Sequence, residues 1–421
     1  MKNNIKPTLV LSTICVVVAL LLSAINMITG PIIEAQRNAA ANGALLEVMP
    51  AGSGFEELDI ASLGLPAAVT NVYKETSGKG YVFRVSSTGY KPGMIVMVGV
   101  DSEGKVTGSK CLESNETWGQ EATLDGKYNG QSIGDAALII AAGATAKSAT
   151  SNGYFAAIEA ALQANVLVGG GELDPAIELK NLIPSLHTGL ASGGQLKATE
   201  IAPTGNIKLG YKALNGSGYA FIVASGEAKV LALVNASGVC KVYDTTGADV
   251  TDANAAVVEE VLAAAGEPKS FAEAAEKKII SAYADASDIT PMSFTTFGNV
   301  VYAASFKSEG NTYYAFYSTP LTYEDSAMAV CTIIDANGAI VNQSVQQFVF
   351  GHSLEYIPVI KDYVNLSGQA FKDYIGKYDG LTGDQLSDEL LITGATLSSS
   401  AVKLGTKEAF DIYNLVKGGE Q

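Results

Sequence analysis

Residues that hold metals are scarce in this chain, which has 4 cysteines and 2 histidines in 421 residues. Cys15, Cys111, Cys240 and Cys331 stand far apart with no Cys-x-x-Cys pair, which argues against protein-held zinc or iron–sulfur clusters. His187 and His352 leave little material for a His-dependent catalytic triad. Charge is also low: 17% of residues are charged and 48% hydrophobic, the reverse of a disordered chain. The 27 basic residues against 43 acidic ones give a net charge of −16. A basic footprint for phosphate backbones is missing, and nucleic acid is not an expected partner. At roughly 100–200 residues per domain, the length accommodates two or three globular units.

Charge is scarcest at the start. No residue between Pro7 and Ile33 is charged, and Leu9 to Ile28 is a mostly apolar run of twenty residues, enough for a helix of about 30 Å across a bilayer core. Lys2 and Lys6 precede it and Arg37 is the next basic residue, so the positive-inside rule puts the N-terminus in the cytoplasm. The rival is a cleaved signal peptide, which has a shorter apolar core and a small-residue cleavage site; the exit Asn26-Met27-Ile28-Thr29-Gly30-Pro31 shows no such site. We expect residues 1–33 to be an uncleaved, single-pass plasma-membrane anchor, with everything from about residue 34 outside the cytoplasm. The anchor holds two Lys and no acid, so the remainder carries −18, a charge that keeps an exported domain soluble.

One pattern is written three times. Tyr73-Lys74-x-x-x-Gly78-x-Gly80-Tyr81-x-Phe83 returns without a gap as Tyr211-Lys212-x-x-x-Gly216-x-Gly218-Tyr219-x-Phe221, and more loosely as Tyr302…Gly310…Tyr314-Ala315-Phe316. Each copy is followed by an apolar strand and a turn, ending in Asp101-Ser102-Glu103-Gly104, Asn235-Ala236-Ser237-Gly238 and Asp335-Ala336-Asn337-Gly338. These read as antiparallel hairpins. Leu45-Leu46-x-x-Met49-Pro50 and Leu179-x-x-Leu182-Ile183-Pro184 precede the first two copies as a weaker echo. Helical patterns lie over Tyr154–Leu162, Ala253–Ala265, Phe271–Tyr283 and Ser399–Leu415. The expected fold class is α+β: one N-terminal transmembrane helix, then repeated domains of antiparallel hairpins with packed helices. The divisions are 1–33 (anchor), 34–170, 171–285 and 286–421.

Near the C-terminus, Thr393-Gly394-Ala395-Thr396-Leu397-Ser398-Ser399 joins an apolar strand end to a helix start. Small residues admit a ligand to the backbone, and free N–H groups at a helix N-terminus favour a phosphate. A Thr hydroxyl there could contact that phosphate or be esterified to it. The plain alternative is that Ser398 or Ser399 caps the helix.

Lys6-Pro7-Thr8-Leu9-Val10-Leu11, Leu45-Leu46-x-x-Met49-Pro50, the Tyr73–Phe83 hairpin and Thr393-Gly394-Ala395-Thr396, in that order, resemble the G subunit of Rnf-type electron transport complexes. The C subunit of sodium-translocating NADH:quinone oxidoreductase is a related match. The resemblance covers residues 1 to about 165 and about 286–417. It implies an FMN-binding domain in which a flavin transferase joins FMN through its phosphate to the last Thr of the motif. Thr396 is then the FMN-bearing residue, with Thr393, Gly394 and Ala395 forming the turn. An Asp is usual six residues before that Thr; here the position is Leu390, with Asp388 and Glu389 upstream. Gly143-Ala144-Thr145 resembles a second FMN site, although Ala142 and Ile139 replace the usual residues, and Thr150 offers a competing register. Glu116-Thr117-Trp118-Gly119 is similar to a Glu-Thr-Pro-Gly loop near the flavin. Trp118 could stack on the flavin or be a core residue, and His352 could bond a flavin carbonyl or be a surface residue. In the middle unit Thr246-Gly247-Ala248-Asp249 offers Asp where the acceptor Thr would stand, and we read it as a degenerate spacer.

The resemblance implies a membrane-anchored subunit that relays electrons, with no complete active site of its own. Other membrane subunits of an Rnf-type complex would be its partners, and ion translocation would be driven by electron flow between ferredoxin and NAD. Two alternatives stand beside it: a stand-alone extracytoplasmic flavin carrier serving an external acceptor, and an exported binding protein without redox function.

Overall fold

The computed structural model describes residues 43–89, 91–116, 119, 121–133, 148–190, 200–201, 203–266, 270–321, 327–348, 356–357, 373–391 and 396–418. These residues form three antiparallel sheets, each a meander in chain order. The first contains β1 (Phe55–Glu57), β2 (Val69–Glu75), β3 (Gly80–Thr88), β4 (Pro92–Asp101) and β5 (Val106–Glu113). The second contains β6 (Glu200–Ile201), β7 (Ile207–Lys212), β8 (Gly218–Ser225), β9 (Ala228–Asn235) and β10 (Cys240–Tyr243). The third contains β11 (Ser287–Pro291), β12 (Val300–Ser308), β13 (Asn311–Ser318), β14 (Ala327–Asp335), β15 (Ile340–Phe348) and β16 (Tyr356–Ile357). The helices are α1 over 43–48, α2 (Ser148–Val168), α3 (Pro175–Leu186), α4 (Ala255–Ala265), α5 (Ala272–Ala282) and α6 (Thr396–Gly418). Internal contacts divide the chain into two compact units. One comprises Met1–Ala144 and Ala157–Gly170, the other Thr145–Ala156 and Gly171–Gln421.

Sheets with packed helices are of the α+β kind, but the expected fold class, led by a transmembrane helix, needs correction. Among the described residues no helix is long and apolar enough to cross a membrane. The two with sufficient length are too polar: α6 carries Lys403, Lys407, Glu408, Asp411 and Lys417, and α2 carries Ser, Thr, Asn, Gln and Glu side chains. The anchor expected at 1–33 lies outside the described residues.

The three sheets share a register. In β2–β3 the pairing shifts after Val69, so that Phe83 faces Val72. In β7–β8 it shifts after Ile207, so that Phe221 faces Gly210. In β12–β13 it shifts after Val300, so that Phe316 faces Ala303. Each Phe thus faces the third residue beyond the shift. Tyr81 and Tyr219 face Lys74 and Lys212, while Tyr314 faces Ser305, so the third hairpin is two residues longer. Tyr302 is therefore not the counterpart of Tyr73 and Tyr211; Ala304 is. The extra length closes in a tight turn with positive φ at Glu309 and Gly310. In the shorter hairpins Gly80 and Gly218 sit at φ 145° and 147°, and a Cβ on either would lie 2.0 Å from the carbonyl oxygen of Val100 or Val234. This close approach explains why both copies keep Gly there.

The turns after β4, β9 and β14 are also built alike. Asp101 Oδ1 accepts the N–H groups of Glu103 and Lys105, Asn235 Oδ1 those of Ser237 and Val239, and Asp335 Oδ1 those of Asn337 and Ala339. This is the Asx-turn chemistry that makes Asp and Asn favourable at such positions.

A helix precedes each sheet, and an i, i+4 pair is buried along it or, for Met49, just past its end. Leu45 and Met49 pack with Val82 and Met97 of the first sheet. Leu179 and Ile183 pack with Ala220 and Leu231, the residues at the same register positions of the second. Ala275 and Ile279 belong to the core of the third. The opposite face of the second sheet takes Val257 and Val261 of α4. In the third sheet α5 and α6 take opposite faces: Phe271, just ahead of α5, meets Tyr317, whereas Tyr413 of α6 meets Tyr314 edge-on at 5.4 Å.

Candidate functional site

The C-terminal site is framed by the approach to α6 and by the helix itself. A short 3-10 turn, Asp388–Leu390, is started by Ser387, whose hydroxyl accepts the N–H of Glu389 at 3.3 Å. Leu390 is buried and anchors the turn in the core of the third sheet. Helix α6 then opens at Thr396. Ser398 and Ser399 lie within its first turn, buried, rather than ahead of it.

Why this segment holds its place follows from its inner face. Ala401, Val402, Ala409, Phe410, Ile412 and Tyr413 are buried against the third sheet, at the spacing an amphipathic helix requires. Thr406 Oγ1 donates to the carbonyl of Val402 at 2.8 Å and accepts from Gln343 Nε2 of β15 at 2.9 Å. Gly405 brings the backbone so near β13 that a Cβ there would lie 2.3 Å from Ser318 Oγ. Tyr413 OH donates to the carbonyl of Ala336 in the β14–β15 turn at 3.1 Å. Near the opening, Lys403 Nζ pairs with Asp388 Oδ1 at 2.6 Å. The Lys403 hydrogen bond and charge hold the Asp388 carboxyl below its ordinary range. A helix N-terminus carries unsatisfied N–H groups and a partial positive charge, the chemistry that receives a phosphate.

Other expected residues are placed less directly. Thr393, Gly394, Ala395, Gly143, Ala144, Thr145, Thr117, Trp118 and His352 lie outside the described residues, as does the side chain of Thr396. Glu116 is described: its Oε1 accepts the N–H of Lys91 at 3.0 Å, and its own N–H donates to Ser114 Oγ at 3.0 Å. It ties the end of β5 to the β3–β4 turn. Thr150, the competing acceptor, is buried in the first turn of α2.

The middle Thr246-Gly247-Ala248-Asp249 is a surface turn, not a helix start. Asp244 Oδ1 accepts the Thr246 hydroxyl at 2.6 Å and the N–H groups of Thr246 and Ala248. Hydrogen bonds from Thr251, then from Lys241, pull the Asp249 carboxyl down to about 2. Helix α4 begins only at Ala255. Sequence reasoning missed the Asp388–Lys403 pair and the contacts of Glu408 with Thr188 and Asn299. The only sequence signal was polar residues on a helix whose inner face is otherwise apolar.

No family model matches the chain. It is 31% identical over 153 residues to the G subunit of the Na(+)-translocating ferredoxin:NAD(+) oxidoreductase complex of Acetobacterium woodii, a match over 32% of this chain and 74% of that relative. At that identity across most of the relative's length, the chain belongs to the family of these G subunits.

Proposed function

We propose that the chain is a flavin-carrying electron-transfer subunit, with FMN joined through its phosphate to Thr396. The observation that carries this reading is the position of Thr396 as first residue of α6, in a chain related to a subunit of a ferredoxin:NAD(+) oxidoreductase complex. A helix N-terminus is the place where backbone N–H groups receive a phosphate, and α6 opens at Thr396; Lys403, further along the helix, pairs with Asp388. Bound there, FMN would supply one-electron redox chemistry. Burial raises the described thiols Cys111, Cys240 and Cys331 to about 12, 11 and 12, so they stay protonated at neutral pH and offer no thiolate for redox work.

A second FMN on Thr145, the units 34–170, 171–285 and 286–421, and maturation by a flavin transferase belong to the same proposal. So do partnership with other subunits of an Rnf-type complex and placement outside the cytoplasm at the plasma membrane. Shared register, Asx turns and preceding helices support reading the units as copies of one ancestor. A second reading, a stand-alone carrier to an external acceptor, is favoured by one observation: the match to the G subunit spans only 32% of this chain.

Co-expression with a flavin transferase, followed by flavin fluorescence after denaturing electrophoresis, tests the attachment. Thr396→Ala and Thr145→Ala, singly and together, count the sites; full signal in the double variant would show that other residues carry the flavin. Protection of the chain from external protease in intact cells would contradict the placement.

A further inference from the structure

Helix α6 is held at mid-length by a partly buried carboxylate that reaches toward the second sheet. Glu408 Oε2 accepts the backbone N–H of Asn299 at 2.8 Å, and Oε1 accepts Asn299 Nδ2 at 3.0 Å and the hydroxyl of Thr188. Thr188 lies in the 3-10 turn Thr188–Leu190 that follows α3, and Asn299 lies just ahead of β12. The network continues inward. Asn215 Nδ2, in the β7–β8 turn, donates to Asn299 Oδ1 at 2.8 Å, and Thr319 Oγ1 donates to the carbonyl of Asn215 at 2.9 Å.

The second sheet is adapted to this contact at the same end. Its Asn235 is buried and its Nδ2 donates to the carbonyls of Phe294 and Thr296 at 2.7 and 3.0 Å. The first sheet carries Asp101 at this position, and a carboxylate facing those two carbonyls would be repelled. Similarly, Ala213 stands where the first sheet has Glu75. Neutral groups have replaced acids along the surface that meets the third sheet, as expected where desolvating an unpaired charge is costly.

We infer that Glu408 is a positioning residue: through Thr188 and Asn299 it fixes α6, the helix that opens at Thr396, to the second sheet, which serves as the base for the C-terminal site. The acceptor role of Thr396 rests on the proposed function; the docking does not. On this reading the middle unit, which lacks an acceptor Thr, holds the site of its neighbour in place.

Hydrogen–deuterium exchange of the full chain, followed over 396–418 in wild type, Glu408→Ala, Glu408→Gln and Gly298→Ala, reads the docking. Glu408→Ala is expected to speed exchange in α6 at least tenfold while the first sheet keeps its rates. Glu408→Gln keeps one carbonyl acceptor but turns an amide toward a donor, and should recover part of the protection. Gly298→Ala leaves Glu408 in place and acts as a wedge, because its Cβ would lie 2.9 Å from Glu408 Oε1 and 3.0 Å from Thr188 Oγ1; it too should lose protection. Wild-type exchange in α6 of Glu408→Ala and Gly298→Ala would overturn the inference. Flavin attachment, timed on the same variants, should slow at least tenfold in Glu408→Ala and recover in part in Glu408→Gln. Unchanged attachment with faster α6 exchange would overturn the positioning role. Absence of attachment in wild type would overturn the acceptor reading of Thr396 and leave the exchange result to judge the docking.

Discussion

At one corresponding pair of positions the three sheets use three chemistries. In the first, the N–H and hydroxyl of Ser53 donate to Glu75, which also accepts from Ser77 and from the N–H of Lys79. Those bonds, with the Lys79 N–H foremost, hold the carboxyl at about 2. In the third, Tyr283 packs on Phe306 with ring centroids 5.3 Å apart. In the second stand His187 and Ala213, with His187 fully buried and neither ring nitrogen hydrogen-bonded among the described residues. Burial lowers His187 to about 4. Its folded value lies below the unfolded one, so it favours the fold above pH 6.5 and that contribution fades as pH falls toward 4. Between pH 7 and 5 this amounts to roughly 1–2 kcal/mol. Urea unfolding at the two pH values should show wild type losing about that much and His187→Phe losing less; equal losses would count against the neutral, buried His. Glu75 is also depressed, so its contribution is present above about pH 4.5 and lost as pH falls toward 2. Glu75→Ala should lower the melting temperature of the unit containing the first sheet at pH 7, and the difference from wild type should shrink on acidification to pH 2.

At the scale of elements, Gly405 makes an unusual prediction. Gly to Ala inside a helix ordinarily stabilises by about 1 kcal/mol. Here the new Cβ would meet Ser318 Oγ at 2.3 Å, and overpacking costs about 1–3 kcal/mol. Gly405→Ala should therefore be neutral or destabilising, and the double variant with Ser318→Ala should be more stable than Gly405→Ala alone. Denaturant titration of the four proteins of that cycle gives the coupling.

Much at this scale was legible in the sequence. The hairpins and Asx turns were readable because the Gly-x-Gly and Asp/Asn positions answer to local backbone geometry. Four helical patterns matched α2, α4, α5 and α6. Helix α3 was not read, because Pro184 stands within it and Pro ordinarily ends a helical pattern. The two-residue offset of the third hairpin was hidden because Tyr302 mimics the expected aromatic. Thr396 stood out through its motif, whereas Glu408 did not. Its partners Asn299 and Thr188 are 109 and 220 residues away in the chain, and no local pattern encodes a contact of that range.

For the whole molecule, the proposed function gives redox work to a flavin, in keeping with a sequence of few metal ligands and with described thiols that burial keeps protonated. The third sheet packs the inner face of α6, Thr188 beside the second sheet bonds Glu408 of that helix, and the first unit carries the Glu116 contact with Lys91. On the proposed function, redox activity turns on Thr396. Purified full-length chain co-expressed with a flavin transferase should give a fluorescent band on a denaturing gel. Peptide mass spectrometry should place an FMN phosphoester on Thr396, and Thr396→Ala should remove that modified peptide. A wild-type chain without any fluorescent band, or one whose flavin is unaffected by Thr396→Ala and Thr145→Ala together, would contradict it.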